Sequence, residues 1–252
     1  MTQIKLDFPR LFEDDHLLVI NKPYGVVVNR AKSVKDLTVE DWMGSEFSIL
    51  NALTDGDKDD FLHRRGVVHR LDKETSGCLI LAKTAHSFSQ LQTFFKTRQV
   101  TKTYLALVHG KLVPNTGEIN APIDRLPWNP QHFGVVPGGK DSLTKYKVLK
   151  YFARPSSVNP QPFSLVELYP QTGRTHQIRV HLKYLGFPIV GDYLYAGRKQ
   201  QKIDRKWCPR VFLHAQKIEF PHPVTGQTIS CFAEIPVELK TALTTLSQIS
   251  IA

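Results

Sequence analysis

Apolar residues in this chain arrive in short bursts closed by turn formers, and that pattern restricts the fold more than any other property. The longest bursts, LLVI at 17–20 and CLILA at 78–82, suit strands and fall far short of a bilayer span. Residues 10–29 read as a hairpin: RLFED, an Asp-Asp-His turn, then LLVINKP running on to GVVV, with Asn21-Lys22-Pro23 and Gly25 interrupting. Within 66–83, GVVHRLD and CLILAK read as two strands around the polar KETSG. KTYLALVHG (102–110), GEINAPI, TKYKVLKYF, FSLVELYP, FLHAQKIEF and ISCFAEI are further strand segments.

Helices are fewer. They are expected over 38–53, 84–98 and 174–185, and from about Pro236 onward. In the second, Phe88, Leu91, Phe94 and Phe95 recur at helical spacing and Thr84 can cap the start. In the third, Ile178, Leu182 and Leu185 are spaced i, i+4, i+7, and Gly186 and Pro188 end it. Thr54 to Asp60 is polar and acidic and reads as a surface loop. Strands outnumber helices without alternating with them. The expected class is therefore α+β, a mixed and mainly antiparallel central sheet flanked by helices. The 252 residues are read as one domain over 1–252.

Charge narrows the partners. Lys plus Arg number 33 against 23 acids, a formal +10, which favours a polyanion because neutralised phosphates release counterions. A merely basic soluble protein is the plain alternative. Cys78, Cys208 and Cys231 are scattered and odd in number, so neither a disulfide framework nor a Cys-rich zinc site is expected. Asp7, Glu13, Asp14 and Asp15 argue against a signal peptide, and the expected location is the cytoplasm. HExxH, P-loop, GxGxxG and GxSxG patterns do not occur, so no metal and no nucleotide cofactor is expected.

Two segments concentrate reactive residues. In VVHRLDKETSG (67–77), Asp72 at the end of a strand would share a face with Arg70, before a turn at Ser76-Gly77. A lone Asp there is ordinarily a turn residue. Beside a cation it becomes a candidate nucleophile or acid–base group. In QTGRTHQIRVHL (171–182), Gly173 offers an unusual backbone angle before a helix starting near Thr175, placing Arg174 at its entrance. His176, Arg179 and Lys183 would form a cationic stripe on that helix, or simply a solvated face. Tyr104 is either a half-buried strand tyrosine or a ring set against a nucleobase, with Lys102 on the same side of its strand.

The segment HRLDKETSG (69–77) resembles the signature of RluA-type pseudouridine synthases. LFEDDHLLVINKPYGVVV (11–28) is similar to the family's opening motif, KTYLALVHG to its tyrosine strand, and TGRTHQIRVHL followed by GFPIVGDYLY (186–195) to its last motif. The likeness runs over roughly 10–235. It implies that uridine in a structured RNA, ribosomal or transfer, is isomerised to pseudouridine without cofactor or metal. A monomer is expected, and the short apolar runs give no expectation of a membrane. By the same resemblance, Asp72 is the catalytic carboxylate, and Arg70 takes the place of the flipped nucleotide. Tyr104 stacks on the uracil and assists proton removal, and Arg174 pairs with the carboxylate, whose charged form it favours. His69, Lys102, His176, Arg179 and Lys183 join Arg70 as candidate RNA contacts. Two departures stand out. The opening motif begins near residue 11, leaving no room for the small RNA-binding domain of many relatives, and Asn29-Arg30 replaces a histidine common near that motif's end. A non-catalytic RNA-binding module and a carboxylate hydrolase are the rival readings. The hydrolase would want a second, separated carboxylate, and Glu74 is only two positions from Asp72.

Overall fold

The computed structural model describes residues 7–32, 34–47, 58–155 and 161–249. In chain order the elements are β1 (Arg10–Glu13), β2 (Leu17–Lys22), α1 (Val39–Glu46), α2 (Lys58–Arg64), β3 (Ser76–Ala82), α3 (Ala85–Lys96), β4 (Thr101–His109), β5 (Thr116–Asn120), β6 (Ile123–Leu126) and β7 (Asn129–Val135). There follow β8 (Leu143–Ala153), β9 (Pro162–Pro170), α4 (Gln177–Tyr184), α5 (Arg198–Asp204), β10 (Leu213–Pro221), β11 (Thr228–Phe232), α6 (Val237–Thr244) and β12 (Ser247–Ile249). The class is α+β with mostly antiparallel strands. The chain folds as two compact units, Met1–Thr101 with Ala215–Ala233, and Lys102–His214 with Glu234–Ala252.

In the first unit the strand order is β1-β2-β3-β10, with β11 on β10; the β1–β2, β2–β3 and β10–β11 pairs are antiparallel. The β1–β2 turn forms because the Asp14 carboxylate accepts the N–H groups of His16 (2.7 Å) and Leu17 (2.9 Å). Leu17 to Ile20 and all of β3 are buried, so both faces of these strands are covered. Helix α3 lays Phe88 and Leu91 inward, with the Thr84 side chain capping Ser87 N–H as expected. Phe61 of α2 meets Phe88 edge-on at 5.7 Å, and Trp42 of α1 meets Phe8 at 4.9 Å.

In the second unit the order is β4-β9-β8, all antiparallel, and both β5 and β12 pair with β8. Its core joins Leu107, Val166 and Leu168 of the sheet to Ile178 and Leu182 of α4 and Leu239 and Ala242 of α6. β6 and β7 make a separate hairpin.

Several expectations are corrected. GVVHRLD forms no strand: only Val67 bridges, to Leu81, and 68–75 is irregular. The reason is local, since the Ile80 N–H on β3 donates to His69 Nε2 (2.9 Å), so a side chain takes the bond a neighbouring strand would have made. The β1–β2 hairpin stops at Lys22 and does not include GVVV. Of the helix expected over 38–53, residues 39–46 form α1 and 48–53 lie outside the described residues. Of the loop expected over 54–60, residues 54–57 lie outside them too, and 58–60 begin α2. Helix α4 starts at Gln177 rather than Thr175. The left-handed residue before it is His176 (φ 56°), not Gly173.

Candidate functional site

Asp72 belongs to the first unit. It is half-buried and opens a turn closed by Thr75 N–H donating to its carbonyl (3.1 Å). Arg70 and Lys73 are exposed, whereas Leu71, Thr75 and Ser76 are buried, so the loop is nailed down at both ends. The anchor is Lys22, at 0 % exposure. Its ammonium donates to the carbonyls of Pro23 (2.8 Å) and Val26 (2.9 Å) and approaches that of Lys73 at 3.5 Å. Gly25 N–H also donates to Lys73 O at 2.7 Å. The Asn-Lys-Pro-Tyr-Gly segment thus holds the residue following Asp72 in place. Sequence reasoning took these positions for mere strand breakers. The signal that could have found them is a lysine in an otherwise apolar strand, a residue seldom buried unless it has partners. At the far end, Gly77 has φ +116°, and a Cβ there would lie 2.1 Å from the Ala215 carbonyl.

His69 has a structural job besides its hydrogen bond to β3. Its ring stacks on Phe95 of α3 at 4.6 Å. Its Nε2 is therefore committed as an acceptor.

Tyr104, Lys102, Arg174, His176, Arg179 and Lys183 belong to the second unit. Tyr104 is half-buried on β4, paired with Leu168. Lys102, two residues earlier on the same side, reaches the Thr172 carbonyl at 3.5 Å, and burial pushes its ammonium down to about 8. Arg174 is exposed; its Nε donates to Asp141 O (3.2 Å) and its N–H to Gln177 Oε1 (3.0 Å). Thr172 Oγ1 also donates to Gln177 Oε1 (2.7 Å), so Gln177 ties the 172–174 turn to the start of α4. Arg174 lines a shallow cleft of about 190 Å³ with Ile123, Phe133 and Lys140.

The cationic stripe does not form. Arg179 is 5 % exposed and makes a two-pronged ion pair with buried Asp192, Nε to Oδ2 at 2.7 Å and Nη2 to Oδ1 at 2.9 Å. It supports the Asp192–Tyr195 turn, whose N–H groups at Leu194 and Tyr195 donate to the same carboxylate, and is withdrawn from phosphate contact. His176 Nδ1 is hydrogen-bonded to the Tyr195 hydroxyl (2.9 Å). Of the three, Lys183 alone is an exposed cation.

Among the described residues no cluster of three or more His, Cys, Asp or Glu could hold a metal ion, and no helix is long and apolar enough to cross a membrane.

The RNA pseudouridylate synthase family matches residues 16–184. The chain is 36 % identical over 234 residues to the uncharacterized RNA pseudouridine synthase YlyB of Bacillus subtilis, covering 93 % of this chain and 71 % of that one. It is 38 % identical over 247 residues to the ribosomal large subunit pseudouridine synthase D of Xanthomonas campestris, covering 94 % and 69 %. Among solved structures, human RNA pseudouridylate synthase domain containing 1 superposes with a TM-score of 0.73 at 27 % identity, covering 98 % of this chain and 90 % of that one. The chain belongs to the RNA pseudouridylate synthase family. As a member it is an RNA pseudouridine synthase, an isomerase acting on RNA.

Proposed function

We propose that the enzyme isomerises a uridine in a structured RNA, ribosomal RNA before transfer RNA, and that Asp72 is its catalytic carboxylate. The observation that carries this is the placement of Asp72: half-buried, at the start of a turn whose next carbonyl is fixed by Lys22 and Gly25. A carboxylate held this way loses little freedom on meeting substrate. Relatives named for the ribosomal large subunit support the choice of RNA.

The reaction rearranges one nucleotide. The bond from ribose C1′ to uracil N1 breaks, the base turns, C1′ joins C5, the C5 hydrogen leaves as a proton and N1 gains one. Asp72 acts at the sugar or at the base as the negatively charged partner. A stacked uridine must first leave its helix, which costs a few kcal/mol. Exposed Arg70 offsets part of this by filling the vacated space. Tyr104 stacks on the extruded uracil, a contact of roughly 1–3 kcal/mol. Arg174 is the cation assigned to the carboxylate by resemblance. Lys102, Lys183, His69 and His176 are assigned to the RNA.

The test is Asp72→Asn. The variant should form no pseudouridine while binding RNA with nearly unchanged affinity, read by sequencing-based mapping and filter binding. Product from the variant removes Asp72 from the chemistry.

A further inference from the structure

Helix α5 and the turn after it read RKQQKIDRK over 198–206, with Arg198, Lys199, Lys202, Arg205 and Lys206 against the single acid Asp204. At 100° per residue, Arg198, Lys199 and Lys202 fall on one side of α5, and Lys206 follows in the turn after it. All four are exposed. Asp204 lies on the other side, buried, where its carboxylate takes His109 Nε2 (2.9 Å), Gly191 N–H (2.8 Å) and Gln200 Nε2 (2.9 Å). The one acid of the segment is thus spent inward. Among the described residues no acidic partner meets the four outward cations.

This arrangement works against the helix itself. Gly197 gives no side-chain cap, no acid stands in the first turn, and Arg198 and Lys199 oppose the positive end of the helix dipole. The pair 198/202 is a like-charge pair at i, i+4 and mildly destabilising. Local stability does not account for such a choice, and the helix is held instead by the Asp204 bonds. A polyanion laid along the outer side would relieve every one of these repulsions.

We propose that α5 is an RNA docking surface, on which Arg198, Lys199, Lys202 and Lys206 grip backbone phosphates of a substrate segment away from the target uridine. This rests on the RNA-modifying reading and adds a site to it. Arg198 to Lys202 span about 6 Å along the axis, and with Lys206 in the following turn they suit two or three consecutive phosphates. Contacts of this kind set affinity and carry no base readout.

The experiment compares the full-length protein with its R198Q/K199Q/K202Q/K206Q variant and with K199R/K202R/K206R. Binding to a transcribed large-subunit ribosomal RNA is measured by filter retention from about 50 to 200 mM KCl. The Gln variant should melt at or slightly above the wild-type temperature, bind about tenfold or more weakly, and lose about 2–3 from the slope of log affinity against log salt. The Arg variant should keep both. Pseudouridine formation at saturating protein should be unchanged in each. An unchanged affinity and slope in the Gln variant overturns the proposal. So does loss of turnover at saturation, which would place α5 in the chemistry, or loss confined to binding of phosphatidylserine vesicles, which would make the partner a lipid surface. Wild-type protein that binds with the expected slope yet modifies no RNA would defeat the enzymatic reading and leave the docking surface standing.

Discussion

A buried ion is tolerated only when its partners are built in, and two residues here show the consequence. Lys22→Met would leave the Pro23 and Val26 carbonyls without their donor and free the turn after Asp72. We expect a loss of about 1–3 kcal/mol by urea unfolding, together with reduced turnover. Arg179→Ala would strand the Asp192 carboxylate in the interior, a loss of about 3–5 kcal/mol in the same measurement. Arg174 behaves differently. Its side chain is exposed, so Arg174→Ala should shift stability by no more than about 0.5 kcal/mol while turnover falls. An Arg174 variant with wild-type turnover would remove it from the reaction. Asp72 and Tyr104 could be singled out from sequence because their neighbours match a recognisable segment. Arg179 was misassigned because i, i+4 spacing says which residues share a side and not which side is buried. In α4, six of the eight residues are buried, so charge pattern was no guide.

At the scale of elements, Gly77 sits where the Asp72 loop enters β3. Gly77→Ala requires a left-handed φ from an L-residue and drives its Cβ into the Ala215 carbonyl. The strain alone is about 1–3 kcal/mol, and thermal unfolding should show at least that. Helix α5 makes an acid-side prediction. Burial by itself would raise the Asp204 carboxyl, but the bond to and charge of His109, the Gly191 N–H and the Gln200 amide outweigh it and hold it below the usual carboxylate range. A depressed folded value stabilises fully above the unfolded value, about 3.9, and is lost as pH falls through the folded one. Asp204→Asn should therefore lower stability at about pH 5, the gap closing as the pH falls further. A gap that persists unchanged into acid would show that Asp204 does not titrate there. Strands with strong apolar cores, such as β3, β4 and β9, were legible. The β6–β7 hairpin, α2 and α5 were not, because short polar elements fixed by tertiary bonds leave no periodic trace. The missing 67–72 strand had the right composition, but the His69 ring had taken its hydrogen bond.

For the molecule as a whole, the +10 charge anticipated a polyanion, and family membership identifies that partner class as RNA. The α+β class followed from the strand count and is what the structure has. The division into two units was not anticipated, since no linker-like composition marks it. Nor does it follow chain order. The first unit takes its last two strands from Ala215–Ala233, and Asp14 hydrogen-bonds His222 at 2.7 Å. A nascent chain leaving the ribosome can form the β1–β2–β3 ribbon early, yet the part of the β3 edge not met by Val67 and His69 stays open until more than a hundred further residues have been made. During that interval the start of an apolar strand is bare, and Gly77, at the end of the loop bearing Asp72, lacks the Ala215 backbone it packs on. Translation through the second unit is thus the window in which this enzyme is inactive and most exposed to aggregation or a holding chaperone.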